Sequence, residues 1–93
     1  MAVEITGFLH VMRVPARVDP VNTEYRIVFA PLGGRLRGRR VSCLGLDALT
    51  DFLRRAGVPI PEIERAWQTL VRRRVHSIPR VVLTPAQLEA LRL

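Results

Sequence analysis

Between Leu46 and Arg74 the hydrophobic positions recur every three to four residues, the period of helices that each bury one stripe. Leu46, Leu49, Phe52, Leu53 and Ala56 form the first stripe, and Asp47, Asp51, Arg54 and Arg55 fill the opposite side. Gly57 then supplies a residue that tolerates the left-handed conformation, and Val58 can reach back to Leu53, so a Schellman cap is predicted there. A second helix is predicted from near Pro61, whose missing N–H is harmless in a first turn. Its apolar set is Ile63, Ala66, Trp67, Leu70 and Val71. Glu62 and Glu64 suit its positive end, and Arg72, Arg73 and Arg74 its negative end.

On either side of this helical pair the period changes to two. Val3–Val14 alternates Val3, Ile5, Leu9 and Val11 against Glu4, Thr6, Phe8, His10 and Met12, which predicts a strand. Phe8 and Met12 make its second face partly apolar, as expected of a strand covered on both sides or meeting another subunit. Gly7 inside it marks a bulge or a close backbone approach. Pro15–Asn22 reads as a connector with a turn at Asp19-Pro20-Val21-Asn22. Thr23–Leu32 and Leu36–Leu44 are predicted to pair as a hairpin turned at Gly33-Gly34. The register that sets Tyr25 opposite Cys43 and Ile27 opposite Val41 makes the apolar sets coincide. A slip of one residue puts Ile27 opposite Arg40 and breaks the match.

Near the end of the chain, Arg80–Leu83 is a short strand candidate opened by Pro79, and Ser77-Ile78-Pro79-Arg80 reads as a connector that could present an edge to a partner. Thr84-Pro85-Ala86-Gln87 spells a capping box, with Leu83 and Leu88 as a hydrophobic staple, and begins a terminal helix carrying Leu88, Leu91 and Leu93. The expectation is an α+β fold in one domain over residues 1–93, in the order β-β-β-α-α-β-α. A three- to four-stranded antiparallel sheet is packed on one face by the αα-hairpin, with a short C-terminal helix.

Composition agrees with a folded domain: 48% of the 93 residues are hydrophobic and 25% charged. A single cysteine excludes an intrachain disulfide and points to a reducing compartment. The opening MAVEITGF has neither the basic nor the apolar region of a signal peptide, and no apolar run approaches the roughly 18 residues of a spanning helix. A cytoplasmic location without membrane insertion is therefore expected. The balance of charge changes the picture more. Fifteen basic residues, all arginine, against eight acidic ones leave a net charge of +7, which favours an anionic partner.

The arginines cluster. Arg35, Arg37, Arg39 and Arg40 crowd the far end of the predicted hairpin, with Arg26 on its first strand. Guanidinium forks match phosphate oxygens, and a two-stranded ribbon can lie along a nucleic-acid backbone. Arg72, Arg73 and Arg74 are candidate support, although a helix C-terminus attracts cations for its own sake. Leu49–Trp67 resembles the helix-turn-helix DNA-binding motif through Gly57, Val58, Ile63 and Ala66. It departs from that motif at Leu53, where a small residue belongs, and at Pro59, Pro61, Glu62 and Glu64, which would turn carboxylates toward DNA.

Catalysis has little to build on. His10 and His76 stand alone in the sequence, and Cys43 reads as a small core residue facing Tyr25. A Cys43–His10 pair is the one dyad the predicted strands allow. No metal-ligand spacing or phosphate-cradling loop occurs, so no enzyme, metal or cofactor is expected. Trp67 reads as core on the second helical stripe. Two functions follow as expectations. The first is a small binding module that contacts nucleic-acid phosphates through the arginine hairpin. The second is an interaction or adaptor protein, a homodimer among its forms, docking through an apolar sheet face at Phe8 and Met12 or through a strand edge.

Overall fold

The computed structural model describes residues 3–14, 22–33 and 40–93. Among the described residues four strands form one antiparallel sheet: β1 (Ile5–Arg13), β2 (Glu24–Pro31), β3 (Arg40–Leu44) and β4 (Val75–Leu83). The helices are α1 (Leu46–Arg55), α2 (Ile60–Arg72) and α3 (Pro85–Leu91), so the chain runs β-β-β-α-α-β-α. Strand order across the sheet is β3-β2-β1-β4, which places β1 in the interior and makes β3 and β4 the edges.

The β2–β3 pairing is the register expected from the apolar match, with Tyr25 opposite Cys43 and Ile27 opposite Val41. β1 pairs with β2 from Gly7–Pro31 to Arg13–Tyr25. Gly33 has a positive φ of 99°, as the expected turn requires. The rest of that turn, and with it Arg35, Arg37 and Arg39, lies outside the described residues, as does most of the Pro15–Asn22 connector.

β4 corrects the sequence reading. It begins at Val75, not at Arg80, so Ser77-Ile78-Pro79-Arg80 is edge strand and not a connector. The signal was hidden by a bulge. β1 advances from Gly7 to Leu9 while β4 advances from Val81 to Ile78, so Pro79 and Arg80 together oppose Phe8. Arg80 takes a left-handed φ of 58° there, and a proline without an N–H is tolerated because the ladder is already interrupted.

Leu9, Val11, Tyr25, Ile27, Phe29, Ile78, Val81 and Leu83 alternate onto one face of the sheet and are buried beneath the helical pair. Leu49, Phe52 and Leu53 from α1, with Ile63, Ala66 and Leu70 from α2, complete that layer. Each buried valine, leucine, isoleucine or phenylalanine among them contributes about 1.5–3 kcal/mol on leaving water. Val71 does not join them. At 61% exposed it faces solvent, because α2 needs only a narrow stripe on a two-layer fold. Trp67 is partly buried against the core, and its indole N–H donates to Thr50 Oγ1 at 3.1 Å, which ties α2 to α1. The cap between the two helices is of the Schellman type: Gly57 has φ 81°, its N–H donates to Arg54 O, and Val58 N–H donates to Leu53 O.

The capping box of α3 is present in full. Thr84 Oγ1 accepts from the Gln87 N–H at 3.2 Å, and Gln87 Oε1 accepts from the Thr84 N–H at 2.9 Å. Thr84→Ala is expected to cost about 1 kcal/mol in urea denaturation. A loss smaller than about 0.3 kcal/mol would mean that the box holds only the terminal turn.

Candidate functional site

A strand alternates its side chains, so every residue that leaves the core face emerges on the other side of the sheet. All three helices contribute to the core on the Leu9 face, and no described element covers the opposite one. The pairings order the open face into rows. One row runs Ser42, Arg26, Met12, Val75, and the next runs Arg40, Val28, His10, Ser77. Beyond them Ala30 pairs with Phe8, and Thr6 with Val82.

The face is apolar and cationic at once. Phe8 is 37% exposed, Val82 43% and Val75 47%, with Val28, Ala30 and Met12 half-buried between them. Phe8 and His10, two residues apart on β1, hold their rings nearly parallel, with centroids 6.0 Å apart and planes 6° apart. His10 Nδ1 lies 2.7 Å from Ser77 Oγ on the neighbouring strand, which restrains the imidazole. Arg26 Nε lies 3.6 Å from a Glu24 carboxylate oxygen, both side chains about two-fifths exposed, and a pair so placed is weak. Arg40 is exposed and forms no ion pair among the described residues.

The sequence-predicted residues are thus divided. Arg26 and Arg40 come together on the open face with Phe8 and Met12. Arg72, Arg73 and Arg74 are exposed but belong to the end of α2 and the approach to β4. The Arg74 carbonyl accepts from the Arg13 N–H beside that strand, so Arg74 and Arg40 stand at opposite edges, about 14 Å apart across the sheet by strand spacing and offset along it as well. Arg13 turns the other way, to the helix side, and is only 8% exposed.

Comparison with protein-family models, with curated proteins and with solved structures finds no match for this chain.

His10, Ser77, Val75 and Val82 were not singled out as site residues by sequence. His10 alternates with Phe8 and Met12 in the sequence, but Ser77 reads there as connector and Val75 falls in no predicted element, so only the return of β4 beside β1 brings them together. The Cys43–His10 dyad is not assembled, since His10 emerges on the open face whereas Cys43 packs against the core on the other, with β2 between them. Burial raises the Cys43 thiol above its ordinary pKa, and the nearby Asp51 carboxylate raises it further, which disfavours the reactive thiolate. Burial likewise raises the Tyr25 phenol, against a smaller lowering by Arg13. His76 lies on the helix side, its Nε2 3.3 Å from Glu62 Oε1, and ties β4 to α2. Among the described residues no three His, Cys, Asp or Glu side chains converge to hold a metal, and no helix is long and apolar enough to cross a membrane.

Proposed function

We propose that this chain is a small, non-enzymatic nucleic-acid-binding module of the cytoplasm. It contacts phosphates through Arg26 and Arg40 on the open face, together with Arg35, Arg37 and Arg39 of the same hairpin sequence. Arg72, Arg73 and Arg74 give outlying electrostatic support.

The observation that carries this reading is where the charge sits. The three helices hold four arginines and five carboxylates, so the helical layer is near neutral. The remaining eleven arginines face only three carboxylates, and they belong to the strands, the hairpin, the connectors and the chain end. A surplus concentrated outside the helices, with Arg26 and Arg40 exposed on the open face, favours a polyanion there and displaces its counterions, which makes the affinity depend steeply on salt.

The test is binding to labelled duplex and single-stranded oligonucleotides across a salt series, comparing wild type with the Arg35→Gln, Arg37→Gln, Arg39→Gln triple variant. Each phosphate contact adds about 0.7–0.9 to the slope of log affinity against log salt, so the variant is expected to lose about 2–3 from it. Absence of binding to every oligonucleotide near physiological salt defeats the reading.

The exposed apolar positions Phe8, Val75 and Val82 favour a second reading, in which the same face docks a protein, a second copy included. It is the weaker of the two because a partner on this face must also accommodate Arg26 and Arg40.

A further inference from the structure

We propose that the open face is a platform for a single strand of nucleic acid, with unpaired bases stacked on the Phe8–His10 pair and the phosphate chain following the arginines of β2 and β3. This rests on the nucleic-acid reading above and specifies the form of the ligand.

The aromatic pair selects an unpaired strand. In a duplex the faces of the bases are covered by their neighbours, so an exposed ring on a sheet has nothing to stack on. In a single strand every base offers a π-face, whatever its identity. Because the Phe8 and His10 planes differ by only 6°, a base laid parallel to one ring is parallel to the other. The hydrogen bond between His10 and Ser77 sets the imidazole before the ligand arrives, which lowers the entropy lost on binding.

The charges lie where a backbone would pass. Arg40 shares the row of His10, two strands away, about 10 Å by strand spacing. Arg26 lies one strand from β1 in the adjoining row, beside Met12. Both cations are on the β2–β3 side of the rings. On the other side β4 presents the neutral Val75, Ser77 and Val82, and one exposed cation, Arg80, at the bulge opposite Phe8. The face therefore has an apolar, aromatic centre for bases, with Arg26 and Arg40 to one side of it and Arg80 at the other edge to meet phosphates. Its one described carboxylate within a strand, Glu24, is held by Arg26 in a weak, partly exposed pair that a phosphate can replace.

The same charges disfavour a second copy as occupant. Two such faces laid together would bring four arginines, Arg26 and Arg40 from each, into one interface against two Glu24 carboxylates.

The experiment is fluorescence anisotropy with labelled oligothymidine, labelled oligouridine and a duplex, each of about 15 nucleotides, over a salt series. Wild type is compared with Phe8→Ala, Phe8→Tyr and Glu24→Gln, with circular dichroism and sedimentation of each protein alone. Phe8 stands outside the core, so its truncation leaves the fold intact. At least one single strand is expected to bind about tenfold tighter than the duplex. Phe8→Ala should lose on the order of tenfold without changing the salt slope, and Phe8→Tyr should bind like wild type. Glu24→Gln should bind a few-fold tighter, on the order of threefold, because it removes a competing anion.

Equal or tighter duplex binding overturns the platform, as does a neutral Phe8→Ala. If the arginine triple variant still flattens the salt slope in either case, the phosphate-contacting module survives without it. No binding to any oligonucleotide removes both. A dimer that dissociates on Phe8→Ala, with no nucleic acid bound, assigns the face to a second copy of the chain and overturns the platform.

Discussion

Leu53→Ala is expected to lower the unfolding free energy by about 3–5 kcal/mol, seen as a fall in the urea midpoint with an unchanged slope. Leu53 has no exposed surface and sits on α1 between Leu49 and the cap, where its carbonyl also receives the Val58 N–H. Phe52, Ala56, Ile63, Ala66 and Leu70 belong to the same core, and they cannot close on an alanine without moving one helix relative to the other. A domain of this length has about 5–14 kcal/mol in all, so the variant is near its folding threshold at 37 °C. This position also separates two helical geometries. In a helix-turn-helix a small residue here lets the helices cross closely, whereas in this αα-hairpin a large one fills the space beneath them. A loss below about 1 kcal/mol would show that the helices can close over an alanine, and would reopen the helix-turn-helix comparison.

Gly7→Ala comes next, with an expected cost of about 2–3 kcal/mol. A Cβ on Gly7 would lie 2.5 Å from Ala30 O, 2.8 Å from Pro31 Cα and 2.8 Å from Phe29 Cζ. Two of those atoms are backbone of the paired strand, and the third is the end of a buried ring. Relief requires β1 and β2 to separate at the point where β4 also bulges, so three strands share the strain. The sign is diagnostic, because replacing glycine by alanine in an ordinary strand stabilises by roughly 0.5–1 kcal/mol. Thermal and urea unfolding of the variant measure it, and a gain in stability would show that the strands are not so closely set.

These two positions show what could be read from the chain beforehand. Gly7 is a lone glycine inside a period-two run, and it is indeed a place of close approach beside a bulge. The Gly57 cap, the Thr84 capping box and the Tyr25–Cys43 register were equally legible, because each depends on residues close in sequence or on one apolar match. The first half of β4 was not. Pro79 breaks the strand signal, His76 puts a polar residue on the buried face, and the bulge at Pro79–Arg80 shifts the alternation by one. The open face was half legible. Phe8 and Met12 advertise it and His10 alternates with them, but Ser77 joins it only because β4 returns to lie beside β1. For the same reason the sequence could not tell that Arg74 and Arg40 belong to opposite edges.

The placement of β1 has a consequence for the order of folding. The first of the four described strands in chain order is an interior strand of the sheet, and one of its two neighbours is the last of the four, with Ile5 paired to Leu83. During synthesis β1 can pair with β2, and β2 with β3, while the outer edge of β1 stays open until both long helices have left the ribosome. Contacts of such long sequence separation form late, after the loop-closure entropy has been met. A nascent chain therefore passes through a stage in which three strands expose an unprotected edge, and only the arrival of Val75–Leu83, with a proline and a bulge built into it, closes that edge and leaves a poorer template in its place.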